Sequence, residues 1–107
     1  MSHILHHGLN FTQTMAKHPS GHELILFRDA SGTEPTVHAY RNSCPHLGIS
    51  LDYGTGNCLL DDGKTLLCAM HAATFAADTG LCTGGPCAGA SLKRVAVRIE
   101  AGNVVCD

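Results

Sequence analysis

Apolar and polar positions alternate with a period of two toward the end of this chain, and no stretch keeps the i, i+3, i+4, i+7 spacing of an amphipathic helix over three turns. Leu24-Ile25-Leu26-Phe27 is a short unbroken apolar run. The turn-rich Ala30-Ser31-Gly32-Thr33-Glu34-Pro35 follows it, and Val37 to Arg41 reads as a second strand. That order of run, turn and run predicts a hairpin. Farther on, Val95, Val97 and Ile99 alternate with Ala96, Arg98 and Glu100, the pattern of a half-buried strand, and Gly102-Asn103 predicts a turn into Val104-Val105-Cys106. In the middle, Thr65 to Cys68 and Ala73 to Ala76 read as strands, with Asp78-Thr79-Gly80 as a turn. Residues 1–22 are polar and His-rich, with a loose first strand expected over their later part and a frayed tip. The expected class is all-β. One domain, 1–107, has a base built from about 10–42 and 92–107, with a smaller Gly- and Cys-rich subdomain, about 43–91, inserted between them.

Composition narrows the function. The formal charge is −2 and no run of Lys or Arg exists, so the chain lacks the basic face that nucleic acid requires. No apolar stretch approaches the roughly 20 residues needed to span a bilayer, so no membrane partner is expected. The start, Met1-Ser2-His3-Ile4-Leu5-His6-His7, shows neither the basic region nor the apolar stretch of a signal peptide. A cytoplasmic location is therefore expected, where thiols stay reduced and Cys beside His reads as a metal site before a disulfide framework. His3, His6, His7, His18 and His22 carry no ligand spacing and are expected as solvated side chains.

Chemistry concentrates in two peptides, Cys44-Pro45-His46 and Cys68-Ala69-Met70-His71. Each pairs one thiol with one imidazole, and together they supply two sulfur and two nitrogen donors. Such a set suits a tetrahedral zinc site. It also suits a [2Fe–2S] centre with two Cys on one iron and two His on the other. Zinc fingers typically pair Cys with Cys and His with His around a helix, whereas this chain alternates Cys-His and Cys-His in a β setting.

The motif Cys-x-His, a gap, then Cys-x-x-His, with Leu47-Gly48 after the first His, closely resembles the Rieske iron–sulfur family, over roughly residues 23–106. The resemblance implies the Rieske fold, an antiparallel β-sandwich or barrel base with an inserted cluster-binding subdomain. It implies a [2Fe–2S] cofactor held by Cys44 and Cys68 on one iron and by His46 and His71 on the other. Gly84-Gly85-Pro86 resembles the Pro-containing loop that covers the cluster, with Gly85 and Pro86 as its lid and Leu47 and Gly48 beside the first ligands. Cys82 and Cys87 flank that loop, either as a disulfide bracing it or as two buried thiols, and Cys58 and Cys106 are expected as packing residues.

The departures from the family pattern matter as well. High-potential members link their cluster loops by a disulfide whose positions here hold Ile49 and Met70, and they carry a Ser where this chain has Ala73. Fewer hydrogen bonds to sulfur lower the potential, toward the bottom of the roughly −150 to +300 mV range. The gap between the ligand peptides, residues 47–67, is long for the family, and Ala72 stands where a Gly is usual. The implied function is a soluble, monomeric one-electron carrier. It takes electrons from a reductase, passes them to an oxygenase or other oxidoreductase by transient docking at the cluster tip, and has no catalytic domain of its own. A small subunit or redox sensor within a larger complex is the alternative.

Overall fold

The computed structural model describes residues 3–29, 36–43, 51, 58–68, 73–85 and 90–107. The described residues contain no helix and form three antiparallel sheets. In chain order the strands are β1 (His3–His6), β2 (Gln13–Lys17), β3 (Glu23–Asp29), β4 (Thr36–Arg41), β5 (Thr65–Cys68), β6 (Ala73–Ala76), β7 (Cys82–Gly84), β8 (Arg94–Val95), β9 (Arg98–Glu100) and β10 (Asn103–Cys106). The central sheet runs β2-β3-β4-β8, the terminal sheet β1-β10-β9, and the third sheet β5-β6-β7.

The central strand explains the unbroken apolar run. Successive side chains of a strand point to opposite faces. Leu24 and Leu26 enter one core with Val37, Ala39 and Val104 of the terminal-sheet side. Ile25 and Phe27 enter a second core with Tyr40, Leu66 and Phe75 of the third sheet. Both faces of β3 are therefore covered, and no polar alternation is required of it. Strand β3 pairs with β4 over six positions, Leu24 opposite Arg41 through Asp29 opposite Thr36, as the hairpin pattern predicts. Residues 30–35, read as its turn, lie outside the described residues.

Three expectations are corrected by the fold. A strand already begins at His3, ahead of the later part of residues 1–22 where the sequence pattern places the first one. His3 stands opposite Cys106 and Ile4 opposite Val105, while Leu5 packs against the core that holds Val104. The tip, residues 1–2, lies outside the described residues. The alternation over 95–99 divides between two sheets, β8 pairing with β4 and β9 with β10. Val95, Val97 and Ile99 still pack on the same core, so the period survives the break. The final turn is Ala101-Gly102, both with positive φ (52° and 78°), and Asn103 already pairs with Glu100.

One polar network joins the third sheet to the central one. The Tyr40 hydroxyl donates to the Ala77 carbonyl at 2.7 Å and accepts from Arg94 Nη2 at 3.3 Å. Arg94 Nη2 also donates to the Asp78 carbonyl at 2.7 Å, and the guanidinium carbon lies 5.3 Å from the Tyr40 ring centroid. Burial pushes the Tyr40 phenol up to about 12, with Arg94 opposing and Asp78 assisting. Gly80 closes over this ring. Its φ is +79°, and a Cβ there would stand 2.7 Å from Tyr40 Cε1.

Candidate metal centre

Cys68 is the last residue of β5 and is wholly buried. It faces Ala73, the first residue of β6, across the antiparallel ladder, and Ala73 is buried too. The hairpin thus presents its only described sulfur at the end where the two strands separate. The connection, residues 69–72, contains His71 and lies outside the described residues. Residue 73 carries a methyl group, so this position offers no hydroxyl to a neighbouring sulfur.

The first motif peptide is anchored by a residue that sequence reasoning did not single out. Asn42 follows β4, and its Oδ1 accepts from the backbone N–H of Leu51 at 2.7 Å. Its Nδ2 donates to Glu23 Oε1 at 2.6 Å, and its backbone N–H donates to the Glu23 carbonyl at 2.9 Å. One side chain therefore draws together both ends of the segment that contains Cys44, His46, Leu47 and Gly48, and ties them to the start of β3. Those four residues lie outside the described residues. The available signal was Asn placed directly after a strand, where its amide competes for backbone partners.

The two anchors converge. Leu51, Cys68 and Ala73 belong to one continuous buried cluster with Tyr40, Leu66 and Phe75. The third motif segment leaves the same sheet: β7 ends at Gly84, paired with Thr74, and Gly85 follows with φ +90°. A Cβ on Gly84 would stand 3.0 Å from Thr74 Oγ1, which itself lies 2.9 Å from Thr83 Oγ1. A larger residue here would make Thr74 give by a few tenths of an ångström. Pro86 and Cys87 lie outside the described residues, while Cys82 is buried with its Sγ donating to the Gly84 carbonyl at 3.2 Å. Cys58 and Cys106 are buried as well, and burial together with Asp107 raises the Cys106 thiol above its ordinary range.

Elsewhere the histidines have local roles. His6 packs edge-on against Phe11 with centroids 4.7 Å apart, His18 Nδ1 meets Ser20 Oγ at 2.7 Å, and His22 accepts from Arg41. Among the described residues, no three His, Cys, Asp or Glu side chains gather as a metal site. The donor chemistry on the described residues is a buried thiol at a strand end, in the same core as Leu51, which lies just past the first motif segment. It fits an iron–sulfur centre, whose soft thiolate ligands need exclusion of water.

Comparison with known proteins agrees with this geometry. The family model of the Rieske [2Fe-2S] domain matches residues 6–101, and the chain belongs to that family. The cofactor is accordingly the Rieske-type [2Fe–2S] cluster.

Among curated proteins the chain is similar to Oxidoreductase NdmD of Pseudomonas putida, 38% identical over 66 residues. That match covers 62% of this chain and 10% of the relative, so the chain spans about a tenth of the length of the curated relative it matches. Among solved structures it resembles the Sphingomonas yanoikuyae B1 ferredoxin, with TM-score 0.73 and 21% identity over 100% of this chain and 98% of that one. A complex of reduced oxygenase and oxidized ferredoxin in carbazole 1,9a-dioxygenase gives TM-score 0.71 and 21% identity, covering 97% of this chain and 100% of that one. These structures establish the all-β Rieske fold.

Proposed function

We propose that the chain is a one-electron carrier whose cluster is held by Cys44 and Cys68 on one iron and by His46 and His71 on the other. Within the fold the cluster subdomain is about 43–91, inserted between the base segments. The observation that carries the reading is the convergence of Leu51, Cys68 and Ala73 in one core, which sets the flanks of both ligand peptides side by side. When bound, the cluster supplies a centre that gains or loses one electron without bond rearrangement in a substrate.

The chain's own residues do the rest. Cys68 gives up its proton to serve as a ligand, and the surrounding core keeps water from the sulfur. Asn42 fixes the first ligand peptide, and Gly85 and Pro86 form the lid. Cys82 and Cys87 brace it as a disulfide or flank it as thiols. The partners are a reductase as donor and an oxygenase-type protein as acceptor, met by a monomeric carrier in transient encounters at the cluster tip in the cytoplasm. A structural relative in complex with an oxygenase supports the acceptor. No helix of the described residues is long and apolar enough to cross a membrane.

The ligand set is tested by EPR of dithionite-reduced protein together with iron and sulfide analysis. His ligation gives the low average g-value of a mixed His/Cys cluster, and His71→Cys shifts the spectrum toward that of an all-thiolate centre. Purified protein with zinc and no inorganic sulfide overturns the reading. A second reading, a domain working inside a larger oxidoreductase, is favoured by the curated relative's much greater length. Copurification with a stable large partner selects that reading; isolation alone selects the free carrier.

A further inference from the structure

The charges of this chain are sorted by position. At the end of the central sheet where β4 runs toward Cys44, His18, Ser20, His22, Arg41 and Lys93 line one depression of about 190 Å³. Arg41 donates its backbone N–H to the Lys93 carbonyl at 2.9 Å, which sets Lys93, just ahead of β8, beside Arg41 at the end of β4. Lys17 precedes His18 and is paired in register with Glu23, whose carboxylate accepts from Asn42. This end thus holds Lys17, Arg41, Lys93 and Arg94 against Glu23, while Arg98 and Asp107, in the adjoining depression that shares His18 and Val95, pair with each other at 2.8 Å.

The opposite end holds the reverse balance. Asp29 closes β3, Asp61 and Asp62 precede β5, and Asp78 follows β6, with Arg28 and Lys64 among them. Arg94 lines the depression while its guanidinium is engaged by Tyr40 and the Asp78 carbonyl, and Arg98 also pairs with Glu100 at 2.6 Å. Among the described residues the charges are therefore arranged as a dipole, with the positive pole at the end of β4 from which the chain continues to Cys44. Glu34 and Asp52 lie outside the described residues. The depression is smaller than the roughly 300 Å³ at which drug-sized ligands are enclosed. Its side chains are set around an open rim, which suits a surface and not a small molecule.

We propose that this positive rim receives a carboxylate-bearing face of a redox partner protein and turns the Cys44 end of the fold toward it. The proposal rests on the electron-carrier reading. Its physical content is orientation: a net charge of −2 repels an acidic partner at long range, but the dipole presents the favourable end on close approach. Only two residues, Asn42 and Ser43, separate Arg41 from Cys44, so the two Cα atoms are about 11 Å apart at most. A partner seated on Arg41 and Lys93 is therefore held close to the first ligand peptide.

Two measurements on the full chain test this. Reduced protein is oxidised in a stopped-flow instrument by hexacyanoferrate(III), an anion, and by hexaamminecobalt(III), a cation. Each probe molecule accepts one electron from the protein. A positive exit predicts that rising salt slows the anionic probe and speeds the cationic one, opposite in sign to the net charge. Lys93→Glu slows the anionic probe at least about fivefold, whereas Lys64→Glu at the far end changes it less than about twofold under screening of about 10 Å. Salt effects that follow the net charge, or equal effects of the two variants, overturn the proposal. Fluorescence anisotropy of a labelled hexaglutamate peptide reads the rim without any cluster, with the same order of variants expected. A colourless protein that still binds the peptide through Lys93 leaves the rim standing and sinks the carrier reading. A coloured protein whose peptide binding ignores Lys93 does the reverse.

Discussion

Replacing Asn42 with Ala removes one acceptor and one donor at the mouth of the first ligand peptide. The acceptor matters more. Leu51 is wholly buried, and its backbone N–H points at Asn42 Oδ1 from 2.7 Å. Without that oxygen the N–H loses its partner, at a cost of about 1–3 kcal/mol. The bond to Glu23 is exposed and contributes about 0.5 kcal/mol or less. The backbone bond from Asn42 N–H to the Glu23 carbonyl survives the substitution. About 2 kcal/mol is therefore lost from the closed form of the segment, and a local opening that admits a chelator becomes about thirtyfold more frequent.

The assay follows bleaching of the visible absorption in excess iron chelator, at a temperature where the fold is intact. Asn42→Ala is expected to lose its colour about thirtyfold faster than the parent protein. Asn42→Asp keeps the acceptor but sets a second carboxylate against Glu23, so it falls between the two. Glu23→Gln alone has an effect of less than about threefold. If Asn42→Ala bleaches at the parental rate, or Asn42→Asp bleaches as fast as Asn42→Ala, the clamp does not hold the site.

Other outcomes follow from the same packing. Gly80→Ala forces a left-handed Ala against the Tyr40 ring, where its Cβ would stand 2.7 Å from Cε1, and costs about 2–4 kcal/mol, read as a lower unfolding midpoint. Ala73→Ser places a hydroxyl opposite Cys68. One hydrogen bond to sulfur of about 1 kcal/mol raises the reduction potential by about 40 mV, measured by redox titration. The Tyr40 phenol titrates at about 12 in the fold against an unperturbed 10.0. The unfolded chain ionises first, so stability falls as pH rises through 10 toward 12, and Tyr40→Phe flattens that loss in alkaline unfolding curves. His38 acts at the other end of the scale: burial and then Arg94 lower it, against Asp29 and Asp78. Acid below its ordinary value of 6.5 therefore destabilises the fold, and His38→Gln reduces that sensitivity in unfolding midpoints measured from pH 7 to 5.

Local pattern carried much of the architecture because hairpins are local objects. The β3–β4 hairpin, the β5–β6 pair and β10 follow from apolar runs and turn residues that a reader of the chain can mark. What pattern could not supply was pairing over long separations. Strand β1 exists because β10, a hundred residues later, offers it an edge, and the His-rich segment that forms it has little strand character alone. The break at Ala96-Val97 was hidden because one hydrophobic period continues through it while the strand changes sheets. The ligand peptides stood out by residue type and spacing, but their anchoring did not. Asn42 acts through a partner nine positions away, and no periodicity marks such a bond.

Strand β3 separates two packed interiors that share no side chain, although its own residues alternate between them. Neighbours such as Ile25 and Leu26 thus answer to different surroundings, one step apart along the backbone. Truncating Ile25 loosens the compartment that contains Cys68, while truncating Leu26 loosens the one that contains Val104. The paired truncation should therefore sum the two single effects, an additivity normally kept for remote positions. In such a fold, distance along the chain is a poor guide to which residues depend on one another.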